Sequence, residues 1–249
     1  GLWTLWYPNG DIAIKREYKN SFEFRTVFPK SNSKGEKQIN ALARNATGFY
    51  SYFPIKQEAV ITTERVWRFI PEKDSTPIFF YNPLWNALVD SVREGKIQGY
   101  DPTTDEFTVK TAGATLLSFD DTTKAKIIGY KIKEDWFFDS KRKIAEKRII
   151  GICPVVRMNG ISKDSIDVCW FKFTDIRNTL NAILIDSPGY PKDVRTLDDL
   201  FFFHCFQGDI YKVSNDRNLN LKDYSNNEQL RIEIGMIETE HDLWMKYSK

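Results

Sequence analysis

The stretch from 127 to 156 limits the fold of this chain more than any other part of it. Within 127–138, Ile128, Tyr130, Ile132, Trp136 and Phe138 fall on one parity, and Lys131, Lys133 and Asp135 on the other. A period of two is the signature of a strand with one apolar and one wet face. The run 149–156 is apolar on both parities, as a central strand is. Pro154 inside it marks a bulge or the strand's end, because proline brings no N–H to a ladder. A third run, 168–173, follows a connection containing Asn159-Gly160. The short connections predict an antiparallel meander, with strands near 127–138, 147–156 and 166–173. A turn centred near 161 then sets Cys153 opposite Cys169. Whether they are bridged stays open, since a disulfide needs a Cα separation of about 4.4–6.8 Å; Cys205 is expected to be a free thiol.

Helical signals flank this sheet, so the expected class is α+β. Asn82 caps a helix that opens on Pro83, where a missing N–H costs nothing; Leu84, Leu88 and Val92 form its buried stripe and Gly95 its stop. A second helix is predicted over 174–185 from Ile176, Leu180, Ile183 and Leu184. Thr196 and Asp199 form a capping arrangement that opens a third over 197–206. Ser225 and Glu228 make an S-x-x-E box that begins a long C-terminal helix, striped by Leu230, Ile234, Ile237, His241 and Trp244. A short strand is expected at 210–213. Residues 1–58 read differently. Alternation over 3–18 around Pro8-Asn9-Gly10 predicts a hairpin, 30–37 a loop and 39–51 a short helix. The chain therefore divides into an N-terminal β-rich extension, 1–58, and a main domain, 59–249.

Candidate chemistry is sparse. His204 beside Cys205 suggests a metal pair or a dyad, but helical neighbours diverge by roughly 100° and zinc wants three or four ligands. Cys169 and Cys205 sit in apolar sequence, the setting of inert thiols. Asp198 and Asp199 read as first-turn carboxylates and Asp120-Asp121 as a turn; Glu134-Asp135 lies on an aromatic strand. Lys141-Arg142-Lys143 near Trp136, Phe137 and Phe138 has the basic-aromatic mix of a single-strand nucleic-acid binder, but a charged hairpin tip explains it as well. No P-loop, G-x-S-x-G or H-E-x-x-H pattern occurs. The sites expected are therefore none: no catalytic residue, cofactor or metal. With 36 basic against 34 acidic residues, the charge of +2 gives no large electrostatic footprint for nucleic acid. No apolar run approaches the roughly 20 residues of a membrane span. The start at Gly1 without Met reads as a processed or trimmed form.

Several motifs together resemble one family. Tyr130-Lys131-Ile132-Lys133-Glu134-Asp135-Trp136-Phe137-Phe138-Asp139, then Arg148-Ile149-Ile150-Gly151-Ile152-Cys153-Pro154-Val155, is similar to the centre of GldN/PorN proteins of the Bacteroidetes type IX secretion and gliding machinery. In the same order come Val66-Trp67 with Ile78-Phe79-Phe80-Tyr81, Glu94-Gly95-Lys96-Ile97, Trp170-Phe171-Lys172-Phe173, Leu197-Asp198-Asp199-Leu200-Phe201, Ile210-Tyr211-Lys212 and Glu240-His241-Asp242-Leu243-Trp244. Thr174 stands where the family commonly has proline. The resemblance covers residues 60–249 and implies a periplasmic scaffold without cofactor or catalytic residues. It further implies rings formed with a GldK/PorK-like outer-membrane lipoprotein, working with the periplasmic part of an inner-membrane motor. Two other functions stand beside it. One is a carbohydrate- or peptidoglycan-binding module stacking sugars on Trp3, Trp6 and Tyr7; the other is a hydrolase with an unrecognised site, a deep pocket holding two carboxylates or Cys205 with His204.

Overall fold

The computed structural model describes residues 2–6, 12–19, 22–27, 44–52, 54–72, 78–79, 83–121, 125–142, 144–159, 164–185 and 194–214, with 235, 238–239, 242–243 and 245–246. The chain splits into two compact units, Gly1–Pro54 with Asn181–Phe206, and Ile55–Leu180 with Gln207–Lys249.

In the first unit, β1 (Leu2–Trp6), β2 (Ile12–Lys19) and β3 (Phe22–Val27) form an antiparallel sheet in that order, so the hairpin expected over 3–18 is present. The helix expected over 39–51 is not found among the described residues. Arg44 pairs with Tyr50 as an antiparallel bridge. The Asn45 side chain takes the N–H groups of Thr47 (3.0 Å) and Phe49 (3.2 Å), a turn that competes with a helix.

The second unit is built on a seven-stranded sheet. It contains β4 (Val60–Pro71), β5 (Gly99–Tyr100), β6 (Ala125–Asp139), β7 (Ile144–Met158), β8 (Ser165–Asp167), β9 (Trp170–Lys172) and β10 (Asp209–Val213), in the order β10-β4-β6-β7-β9-β5 with β8 also on β7. Its centre is the meander expected from the sequence. β6 and β7 pair antiparallel along almost their whole length, joined by a turn that Asp139 organises by accepting the N–H groups of Lys141 (2.9 Å) and Arg142 (3.0 Å). At the opposite end of β6, Gly129 lets β4 close in. A Cβ there would stand 2.4 Å from the Phe69 ring and 2.5 Å from the Ile70 carbonyl oxygen.

Three expectations about this sheet need correction. The third strand is two short ones, β8 and β9, broken at Val168-Cys169. Phe173 belongs to the following helix. Pro154 neither ends β7 nor sits at a bulge: it pairs with Tyr130 on one side and its carbonyl accepts from Val168 N–H (2.9 Å) on the other. In an antiparallel strand a residue's N and O point the same way, so the donor that proline lacks is missing from the β8–β9 side, where those strands break. Finally, β6 has no wet face. Lys133 is 1% exposed.

One sheet face carries α1 (Pro83–Arg93), which buries Leu84, Trp85, Leu88 and Val89 and stops at Gly95 with φ +69°. Two further helices follow, α2 (Gly113–Leu117) and α3 (Phe173–Asn181). The Thr179 hydroxyl on α3 meets that of Ser91 on α1 at 3.0 Å. The helix expected to run to 185 therefore ends at 181. Ile183 O instead accepts from Leu197 N–H and Ile185 N–H donates to Arg195 O, an extended pairing that leaves Leu184 79% exposed.

In the first unit, α4 (Leu197–Phe202) begins with the expected capping box: Asp199 N–H donates to Thr196 Oγ1 and Thr196 N–H to the Asp199 carboxylate. It ends four residues early. His204 turns left-handed (φ +52°), with His204 N–H bonded to Phe201 O and Cys205 N–H to Leu200 O, the paired bonds of a Schellman stop. The C-terminal stripe Leu230, Ile234, Ile237, His241 and Trp244 lies outside the described residues.

Candidate functional site

One polar arrangement among the described residues is hidden by the alternation of β6. On the face of β6 away from α1, the Lys133 ammonium donates to Asp105 O (2.7 Å) and lies 3.0 Å from Asp105 Oδ1. Asp105 Oδ2 accepts from Trp67 Nε1 at 2.7 Å. Trp67 and Phe107 flank the ammonium, their ring centroids 5.7 and 5.3 Å away. Asp105 and Phe107 both hold positive φ (49° and 55°), conformations that persist only when neighbours fix them. The ion pair and the indole hydrogen bond do so, fastening the loop 101–111 over the sheet. An enclosed lysine can serve as a base or an imine-forming amine when it is neutral. Here the ammonium is engaged by a carboxylate and a carbonyl. Aromatic residues at 67 and 107, one on a strand and one in a loop, carry no joint pattern in the sequence.

The second arrangement is the tip of the β6–β7 hairpin. Arg142 donates to Asp139 and to Glu146, each at 2.6 Å, and Arg148 to Glu146 at 2.7 Å; Arg65 grips Asp135 through two bonds of 2.7 and 3.1 Å. Burial alone would raise the Asp139 carboxyl, but the bonds from Arg142 and the turn amides outweigh it and hold the carboxyl below its usual value. The stability this adds is present above the unfolded pKa, about 3.9, and is lost as pH falls through the lower folded value. Urea midpoints measured from pH 5 to pH 2 should therefore fall less steeply in Asp139→Asn than in the parent. An equal slope would show that the tip carboxylate does not act this way.

On the other face of the hairpin, Thr62, Glu64, Trp136, Phe138, Ala145 and Lys147 line a groove that Thr239 and Leu243 also border. Its volume is about 60 Å³, room for a handful of waters. Lys147 lies 4.2 Å over the Trp136 ring. Burial raises the Glu64 carboxyl, which is the one carboxylate in the described lining. Paired acid and base chemistry needs a second.

The residues singled out by sequence are scattered. Glu134 is fully buried, accepting Trp136 Nε1 at 2.8 Å beside Arg68; its neighbour Asp135 points to the opposite face and Arg65. Asp120 meets Arg93 at 2.9 Å. Asp199 is a cap that also binds Arg44 (2.8 Å), and Asp198 is fully buried beside it. His204 packs on Phe206, while Cys205 reaches the Phe203 carbonyl at 3.7 Å and burial pushes its thiol up to about 12, which makes it a poor nucleophile. Lys141 and Arg142 make ion pairs with Glu58, Asp139 and Glu146, consistent with a hairpin tip. Tyr7, Lys143 and His241 lie outside the described residues, and Trp3 and Trp6 fall on β1. Among the described residues no group of three or more His, Cys, Asp or Glu is placed to hold a metal, and no helix is long and apolar enough to cross a membrane.

The model of one family, described as gliding motility associated protein GldN, matches residues 55–245. The chain belongs to the GldN family. This GldN-family chain is thereby a component of the gliding motility and type IX secretion machinery, and the family is not a known enzyme family. The match spans the whole seven-stranded sheet and both arrangements above; β1–β3 precede it. No curated protein sequence matches the chain.

Proposed function

We propose that this protein is a non-enzymatic scaffold subunit in the periplasm, held at the outer membrane by a GldK/PorK-like lipoprotein with which it builds a ring. The observation that carries the reading is the GldN match over 55–245. On this reading residues 1–58 are an extension to a domain at 59–249, and the Ser225–Glu228 box opens a long helix. The described surface supports it in two ways. Trp67, Trp85 and Trp170 are buried and Trp136 is covered by Lys147, so these indoles offer no open row for stacking sugars. Among the described residues, the stretch 144–150 of β7 runs past β9, which pairs only at Gly151 and Ile152, and forms an edge of the sheet. Such an edge suits partner strands, and Glu146, Lys147 and Arg148 in its middle discourage indiscriminate pairing.

The test is to mix the full chain with its cognate lipoprotein and measure mass by light scattering. A species heavier than either component is expected at tens of micromolar. If both remain separate while each is folded, the scaffold reading fails.

A further inference from the structure

We propose that the open edge of β7 at 145–149 pairs with the same edge of a second copy of this chain, antiparallel and centred on Lys147. The inference goes beyond the scaffold reading, which assigns this edge no particular strand. It begins with the direction of the backbone groups. Ser140 N–H donates to Ala59 O, just ahead of β4. Neighbouring residues of a strand aim their N–H and C=O to opposite sides, so those of Asp139 face β7, and its pair with Ile144 is a hydrogen-bonded one. Counting along β7 from that pair, Ala145, Lys147 and Ile149 turn theirs away from β6. The far end of the strand agrees. Pro154 O faces outward to Val168 N–H, and the register shift between Lys133 and Glu134 changes outward even positions into outward odd ones. β9 meets β7 only at Gly151 and Ile152, and β8 only at 155–157. Among the described residues, the groups at 145, 147 and 149 therefore face no strand.

The sequence Ala145-Glu146-Lys147-Arg148-Ile149 fits its own inverse. Turned antiparallel about Lys147, Ala145 stands opposite the partner's Ile149 and Glu146 opposite the partner's Arg148. The pairs at 145–149 and 147–147 are the hydrogen-bonded ones, with outward groups on both strands. Glu146 and Arg148 take the closer, non-hydrogen-bonded position, where opposite charges attract. The two already share a face, Arg148 donating to Glu146 at 2.7 Å within one strand, so pairing places four alternating charges side by side. Lys147 against Lys147 is the like-charge contact of this register. Its ammonium is drawn back 4.2 Å over the Trp136 ring of β6, away from the edge. Moving the centre by one residue sets Glu146 or Arg148 against itself, with backbone groups aimed at β6 instead of the second copy. The charges that repel other strands thus select this one. A two-fold contact of this kind closes on itself and gives a dimer. So short a ladder buries less than the roughly 1,000 Å² of a stable interface, so the dimer is a weak one.

The experiment is sedimentation velocity of the full chain up to roughly 500 µM, a range suited to weak interfaces. The parent should pass from monomer to dimer and stop there. Ala145→Pro removes an outward N–H and leaves the bonds to β6 in place, as Pro154 does further along the strand; it should stay monomeric with an unchanged circular dichroism spectrum. Glu146→Arg and Arg148→Glu each set like charges opposite in a self-pair, so each alone should be monomeric. Mixed in equal amounts, they bring opposite charges together again and should dimerise, a recovery that a folding defect does not produce. A parent that remains monomeric throughout would overturn the proposal. So would a folded Ala145→Pro that dimerises as the parent does, or a mixture of the two charge variants that stays monomeric. A monomeric parent that still forms a heavy species with the lipoprotein would overturn this pairing and leave the scaffold reading standing.

Discussion

Lys133→Ala should lower the stability of the sheet unit by about 3–5 kcal/mol, the usual cost of removing one partner from a buried ion pair. The substitution leaves the Asp105 carboxylate with only the Trp67 indole as its side-chain donor, and empties the space between Trp67 and Phe107. The loop holding Asp105 and Phe107 at positive φ loses its fastening as well. Lys133→Met should cost less, because its unbranched chain refills much of the volume, and adding Asp105→Asn to it should recover part of the remainder. Urea unfolding followed by tryptophan fluorescence reads all three variants, since Trp67, Trp85 and Trp170 lie in this unit's core. A loss below about 1 kcal/mol for Lys133→Ala, the range of an exposed ion pair, would mean that the lysine is not pinned.

The second large effect belongs to the other unit. Asp199 is fully buried and its Oδ2 accepts from Arg195 N–H (2.8 Å), Thr196 N–H (3.0 Å) and the Arg44 guanidinium (2.8 Å). Asp199→Ala removes a helix cap and strands the Arg44 charge, a combined cost of about 3 kcal/mol. Arg44 also donates to Gly48 O at 2.7 Å and lies over the Tyr50 ring, so the loss should spread from α4 to the 44–50 turn. Amide hydrogen exchange in α4 should then quicken by roughly a hundredfold, with Asp199→Asn in between because it keeps an acceptor for the backbone. Unchanged exchange in the alanine variant would show that the cap and ion pair contribute nothing to this unit.

The charge pairing at both sites is invisible to pattern reading for a common reason. Alternation sorts side chains by polarity and assigns lysine to water, as it did with Lys133. It cannot see that the loop 101–111 will supply a carboxylate and a ring. Asp199 was legible as a cap, because its partner Thr196 lies three residues away. Its ion pair with Arg44 crosses most of the chain and left no trace. The helix expected at 174–185 forms but stops at 181: Ile183 and Leu184 keep helical spacing, yet their backbone pairs with 195–197. Pro154 misled for the opposite reason. That proline lacks a donor says nothing of which neighbouring strand the donor would face.

What the sequence determined by itself was whatever depends on neighbours in the chain. That includes the strands at 127–138 and 147–156, the stop at Gly95, the Thr196–Asp199 box, and the ordered motifs that gave the family. Tertiary structure alone decided how each strand's second face was covered, where α3 and α4 ended, and which charges were paired indoors. Those outcomes turn on which distant segment arrives at a given surface. Burying a charge or ending a helix depends on the partner waiting there, and local propensity carries no information about that partner.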